Sequence, residues 1–576
     1  MSIDQTQHTG GSHPAIRFKK LKMIEGPLTD FDAKRPRLLN DVVSKTLQDF
    51  SKSNADVLLA EALYSERARL RRDRGNLFTR SRLNRDRKIW SGIQGGLLKS
   101  VAEVDRRALL QQSVSHYAEE IGGHFDPKIY KISTDMVPWM LSWLLNAASV
   151  KRFLPWGMTE SLESRMSILG EVSHVQKLAK KGTLLLVPTH QSNLDSVLIG
   201  YIIALMELPP FAYGAGLNLF SNPILSFFMS RLGSYTVDRK KTDSIYKATL
   251  KNYSTRILKE GVHSIFFPGG GRSRTGALES RLKLGLLGTA LEAQIESMIA
   301  GSPKPNIYVV PMVVSYHYVL EASSLIEEFL MDAGKHRFIL EDDESWQVLK
   351  IINFFWKFMS SQTGVTCRIG RPLDVFGNFV DDEGRSIGPN GTMIDPAKWC
   401  TTRGALRHEP QRDAEYTKLL GSRIASRYFR ENTVLTSHLV AFSFFETLRK
   451  KYPDSDLYRF MRLSTAQRSM PLEEFLAEAE QFHKRVRELA DQGQLFICEE
   501  LKTTDTRAWV ADGVRHLGLL HDAAVVKVEE GAIWTQDMTL LYYYRNRLSG
   551  YGLSLLAKAG AASVQPGQYD AKGFLA

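Results

Sequence analysis

Cysteine is scarce in this 576-residue chain: Cys367, Cys400 and Cys498 are the three it has, and they stand far apart. An odd, scattered set excludes a disulfide framework and a cysteine-based zinc site, and it fits a reducing, cytoplasm-facing environment. Long apolar runs are lacking as well. The most apolar candidate, Met136 to Val150 (MVPWMLSWLLNAASV), is 15 residues long and contains Pro138 and Asn146, against about 20 apolar residues needed to span a bilayer. Its two tryptophans and the Lys151 and Arg152 that follow suit an interfacial helix, and its apolarity suits a buried core helix equally. The opening MSIDQTQHTGGSHP has no apolar stretch of the kind that makes a secretory leader. About the first 30 residues, rich in Gly, His and Lys, read as mobile. These shortages favour a peripheral or monotopic protein on the cytoplasmic face of a membrane over an integral one.

Positive charge is what the chain has in excess. The net charge of +12 calls for an anionic partner: nucleic acid, a membrane surface or phosphorylated metabolites. Between Arg67 and Lys88 stand ten basic residues against two acids, Asp73 and Asp86, so this short stretch carries two thirds of the net charge. It is either a solvated helical face with internal ion pairs or a dock for anionic lipid headgroups. No zinc-finger or aromatic-interleaved motif accompanies it, and nucleic acid is not the expected partner.

The texture of the chain divides it into three. Residues 1–165 form a basic, mostly helical region, with apolar spacings of three and four from Leu38 to Ile121. Residues 166–400 alternate short apolar runs with helical stretches: TLLLVP from Thr183, a helix over Ser196 to Met206, HSIFFP from His263 to Pro268, a helix around Leu282 to Ile299, IYVVPMVVSY from Ile307 to Tyr316, and a late strand in Val365 to Phe376. Strands separated by helices predict an α/β fold, a mixed central sheet with helices on both faces. Asn378 to Arg412 reads as loop. Residues 401–576 return to helix at Leu439 to Lys450, Leu472 to Gln492 and Asp537 to Leu548.

Two stretches carry chemistry. In VPTHQSNLDSVL, His190 leaves a strand and Asp195 falls in the first turn of the following helix. Ligands of open α/β sheets bind outside the carboxyl ends of strands. An imidazole there can take a proton near neutral pH, and a carboxylate on its other nitrogen would fix the tautomer. Such a base, with no serine or cysteine nucleophile, fits direct attack by a substrate hydroxyl. Ser192 and Asp195 also match a capping box, in which the acid binds only backbone. In FFPGGGRSRTG, Phe266 to Gly276, glycines let a ligand approach the main chain while Arg272 and Arg274 offer forks suited to phosphate; a solvated hairpin turn would look the same. RLGSYTVDRKK adds Arg239, Lys240 and Lys241, which either neutralise a phosphate or make a solvated turn.

Taken in order, HQSNLD (His190–Asp195), GSYTVDR (Gly233–Arg239), FFPGGGRSRTG and VVPMVVSY (Val309–Tyr316) resemble the four blocks of the glycerolipid acyltransferases. The set is most similar to the glycerol-3-phosphate acyltransferases of the bacterial membrane-associated type and their relatives that acylate dihydroxyacetone phosphate. AGLNLFSNPILSFFMSRLG before the second block and TLLYYYRNRL near the C-terminus narrow it.

The resemblance implies transfer of a fatty acyl group from acyl-CoA or acyl carrier protein to the sn-1 hydroxyl of glycerol 3-phosphate, the first step of phospholipid synthesis, without metal or cofactor. Under it His190 is the base and Asp195 its orienting acid; Gly271, Arg272, Ser273 and Arg274 hold the phosphate, supported by Arg239 and Lys241. Dihydroxyacetone phosphate and lysophosphatidate are alternative acceptors. One departure matters: the third block ordinarily has an acid before its glycine, as in F-x-E-G, where this chain has Gly269. That substitution leaves room for a non-catalytic lipid- or phosphate-binding relative.

Overall fold

The computed structural model describes residues 23–73, 80–99, 102–133, 166–216, 227, 230–333, 364–519 and 523–554. The expected interfacial helix at Met136 to Val150 and part of the segment before the second block lie outside these residues.

Four helices lead the described chain: α1 (Phe31–Asp49), α2 (Ala55–Arg72), α3 (Arg80–Lys99) and α4 (Glu103–Ile121). Asn54 caps α2 by accepting the Asp56 N–H. Of the stretch expected to be mobile, residues 1–22 lie outside the described residues, and residues 23–30 pack onto these helices through the buried Leu28.

A seven-stranded sheet follows, in the order β1 (Met166–Gly170), β7 (Val365–Ile369), β6 (Ile307–Tyr316), β2 (Thr183–Pro188), β5 (Ser264–Ile265), β3 (Ala212–Gly216) and β4 (Ser234–Val237). Strands β6, β2, β5, β3 and β4 run parallel; β7 is antiparallel to β6, and β1 is parallel to β7. The connecting helices are α5 (Val172–Ala179), α6 (Asp195–Leu205), α7 (Ser244–Lys259), α8 (Gly288–Ile299) and α9 (Ala322–Ala333). The C-terminal region adds α10 (Pro410–Arg430), α11 (Thr436–Lys451), α12 (Leu472–Asp491), α13 (Thr506–Leu519) and α14 (Met538–Arg545).

Strands β2 and β6 are buried throughout and apolar at most positions because both of their faces are covered, as parallel strands require. Leu185 and Val187 pack with Val309, Val313 and the helices α8 and α10 on one face. Leu184 and Leu186 pack with Val310, Val314, α6 and the C-terminal α11 on the other. The N-terminal helices cover the far edge, where α1, α2 and α4 meet α7, Ala212 and Tyr235. The fold is thus α/β, with helices on both faces of a mixed sheet and helical regions at either end. No described helix is long and apolar enough to cross a membrane.

This order places β2 between β6 and β5, and all three run parallel, so their carboxyl ends open on the same rim.

Candidate active site

His190 stands in the loop between β2 and α6, with its side chain 13% exposed. Its Nδ1 lies 2.8 Å from Oδ2 of Asp195, the first residue of α6. That carboxylate is fully buried. The same Oδ2 accepts the backbone N–H groups of Gln191 and Ser192, at 2.7 and 3.0 Å. Backbone anchoring and imidazole orientation are therefore done by one carboxylate, and neither reading of its position excludes the other.

The second oxygen, Oδ1, accepts the hydroxyl of Tyr316 from the end of β6. Burial, and then the charge of Asp195, pushes the Tyr316 phenol well above its ordinary pKa, so it stays a donor. Phe267 stacks on the imidazole with ring centroids 4.1 Å apart. With Nδ1 engaged by Asp195, Nε2 is the nitrogen left to take a proton.

The glycine and arginine loop that follows β5 is bonded directly to this histidine: the Ser273 N–H donates to the His190 carbonyl at 2.7 Å. The Ser273 hydroxyl turns inward to the Ala277 carbonyl at 2.7 Å, so Ser273 shapes the loop with both of its donors. Arg272 reaches Glu321 at 3.5 Å and Arg274 reaches Glu328 at 3.6 Å. Glu321 is shared, since it also accepts the Ser192 hydroxyl at 2.9 Å and the Asn193 N–H at 3.1 Å. Arg239 arrives from the end of β4, and a Cβ on Gly271 would lie 3.5 Å from its Nη1. Partial desolvation and the neighbouring charge of Arg272 lower the Arg239 pKa. Two guanidinium groups crowded in this way favour an anion between them. His190, Asp195, Arg239, Gly271, Arg272, Ser273 and Arg274 are thus gathered on one rim.

Lys241 is not part of it. Its side chain is fully buried, and its ammonium lies 3.3 Å from Glu66 and binds Glu120, beneath the N-terminal helices. Arg69 completes this buried network by bridging Glu66 and Asp86, both at 2.6 Å. The phosphate-supporting role that the resemblance implies for Lys241 does not hold, because its two carboxylate partners from α2 and α4 take it inside instead.

The missing acid at Gly269 has a structural counterpart. Glu279 comes back against the loop, and its Oε1 accepts the His190 N–H at 2.9 Å. A Cβ at position 269 would meet that same Oε1 at 3.1 Å. Neither Glu279 nor Glu321 carries a motif that would single it out in the sequence, and Tyr316 is hidden there as the last residue of an apolar strand.

Comparison with known proteins agrees with this geometry. Residues 170–315 match the family model described as Acyltransferase. A glycerol-3-phosphate acyltransferase of Pseudomonas fluorescens is 26% identical over 293 residues, 51% of this chain and 32% of that protein. One of Haemophilus influenzae is 32% identical over 206 residues, 35% of this chain and 24% of that protein. The chain spans about a third or less of the length of these relatives. Residues 170–315, which carry His190, Asp195 and the arginine loop, are thus similar to the acyltransferase family, and in the matched stretches the chain is similar to glycerol-3-phosphate acyltransferases.

Proposed function

We propose that the protein transfers a fatty acyl group from the thioester of acyl-CoA or acyl carrier protein to the sn-1 hydroxyl of glycerol 3-phosphate, at the cytoplasmic face of a membrane. The observation that carries this reading is the bond from the Ser273 N–H to the His190 carbonyl, which sets a candidate base beside a candidate phosphate grip. Arg272 and Arg274, with Arg239 beside them, receive the phosphate. Nε2 of His190 takes the proton of the acceptor hydroxyl as its oxygen attacks the thioester carbonyl. The C–S bond then breaks, and the imidazolium returns the proton to the departing thiolate, giving ester and free thiol. Asp195 balances the imidazolium charge throughout. The thioester is already activated, so the scheme calls for no metal or cofactor.

A non-catalytic binder is favoured by Gly269 alone, and the Glu279 carboxylate beside that position argues against it. The test is a panel of acceptors (glycerol 3-phosphate, dihydroxyacetone phosphate and lysophosphatidate) with both thioester carriers, repeated with His190→Ala. Ester formation on glycerol 3-phosphate should dominate and fall at least about a hundredfold in the variant, the scale of a lost general base. Wild type that acylates no acceptor, yet binds phosphate ligands, would favour the binder; an acyl group trapped covalently on the protein along the reaction path would sink the one-step scheme.

A further inference from the structure

The segment Tyr543–Arg547, at the end of α14, touches both halves of the site from the C-terminal region. Asn546 Nδ2 donates to the Thr275 carbonyl of the arginine loop at 3.0 Å. Arg547 is 2% exposed. One arm of its guanidinium, Nη2, donates to the Val314 carbonyl and to the Ser315 hydroxyl, each at 2.9 Å. Nε donates to Asn432 Oδ1 at 2.7 Å. Val314 and Ser315 immediately precede Tyr316, whose hydroxyl holds Asp195.

The other arm, Nη1, is buried without a hydrogen-bond partner, and so is the Tyr543 hydroxyl. Both residues line a small pocket that they share with Gln191, Gly276, Tyr316 and His438. A guanidinium taken out of water is costly unless it is both hydrogen-bonded and faced by negative charge. Burial lowers Arg547 to about 10, against the opposite pull of Tyr551, Glu279, Tyr543 and Asp195. Glu279 is the complementary case: burial raises its pKa, while the His190 N–H bond and the charges of Arg547 and His190 work the other way. Tyr428 of α10 also faces Glu279, and His438 of α11 faces Arg547.

We propose that Arg547 is a positioning residue for the His190–Asp195 pair: it fixes the end of β6 that presents Tyr316 to Asp195, and it supplies the positive charge set against the Asp195 and Glu279 carboxylates. It acts through these groups and not on substrate. Its kinetic consequence rests on the acyl-transfer reading; its electrostatic one does not.

The test uses the full chain with Arg547→Lys and Arg547→Met. The Glu279 carboxyl is titrated by ¹³C NMR, its signal assigned by loss in Glu279→Gln, and kcat is measured with glycerol 3-phosphate. In the methionine variant the Glu279 midpoint should rise by about one pH unit, the effect of losing a nearby opposite charge, and kcat should fall about a hundredfold, as for a displaced base. The lysine variant keeps the charge but loses the fork to β6. Its midpoint should stay near wild type while kcat falls about tenfold with the acceptor KM little changed, the smaller loss of a partial misplacement. An unchanged midpoint in Arg547→Met, or wild-type kcat in Arg547→Lys, overturns the proposal, as does a failure of both variants to fold, which would make the residue purely structural. If wild type transfers no acyl group, the acyltransferase reading has failed and the Glu279 midpoint alone decides the role of Arg547.

Discussion

Arg239 and Lys241 stand two residues apart in a run of three cations and end in opposite surroundings. Arg239 reaches over Gly271 towards Arg272, while Lys241 is enclosed by Glu66 and Glu120. Burial opposes ionisation of Glu120, yet the charge and hydrogen bond of Lys241, with the charges of His116 and Arg69, together outweigh it and hold that carboxyl below its ordinary pKa. A depressed carboxylate stabilises the fold above its unfolded-state pKa and loses that contribution as pH falls through the folded value. Lys241→Met should therefore cost about 3–5 kcal/mol, the usual penalty for breaking a buried pair, read by urea unfolding at neutral pH, and the difference from wild type should shrink in acid. Arg239→Met should leave stability nearly intact and raise the KM for the phosphorylated acceptor about tenfold, as loss of a charge-assisted bond does. Equal effects of the two variants on KM would contradict their separation. No local property of the sequence distinguishes the pair, because the partners of Lys241 come from α2 and α4, far back in the chain. The same holds for Glu279. His190 and Asp195 were legible because their chemistry depends on neighbours five residues apart.

At the level of elements, the agreement follows burial. TLLLVP and IYVVPMVVSY are strands over the residues expected, since a strand covered on both faces is apolar at most positions. HSIFFP shrinks to two residues of strand, Ser264–Ile265, because the chain departs at once into the Pro268 turn. β3 (AYGAG) and the edge strand β4 (SYTV) carry no strand pattern in the sequence, because glycine and small polar residues erase it. The helix expected around Leu282 begins only at Gly288, because the Lys283 N–H is drawn to the Pro268 carbonyl and closes the arginine loop. Asn378 to Arg412, read as loop, contains several short antiparallel pairs and the helix Pro396–Cys400. The loop itself rests on a glycine whose conformation side chains resist. Gly276 has φ +78°, and a Cβ there would lie 2.3 Å from the Tyr543 carbonyl oxygen. Gly276→Ala should separate the arginine loop from the C-terminal segment. We expect acceptor KM to rise and kcat to fall together, each by about tenfold, as when a substrate-positioning element shifts. Wild-type kinetics in a folded Gly276→Ala protein would show that this contact does not set the loop.

Across the whole molecule, the sheet shares its core with C-terminal helices on both faces and with the N-terminal helices at one edge. The basic stretch noted in the sequence thereby becomes a placed surface. Of its two acids, Asp86 is taken inside by Arg69, and Asp73 lies 3.7 Å from Lys240, beside the residue that leads to the arginine rim. Arg67, Arg71 and Arg72 are left exposed on α2, and the solvent side of that helix also shows Val57 and Tyr64, 64% and 81% exposed. Cations beside exposed apolar side chains suit a surface of anionic headgroups. This face was legible as charge but not as a surface, because which of its acids are consumed depends on packing. Each cation near such a surface contributes about 1 kcal/mol. Reversing Arg67, Arg71 and Arg72 to glutamate should therefore weaken binding to phosphatidylglycerol-containing liposomes at least about a hundredfold and flatten its dependence on salt. Sedimentation with liposomes over a range of ionic strength measures both. Because these residues lie outside the site, acyl transfer to glycerol 3-phosphate with a soluble short-chain donor should persist in the variant. Undiminished, salt-sensitive liposome binding would instead identify the stretch as a solvated helical face and move membrane contact elsewhere on the protein.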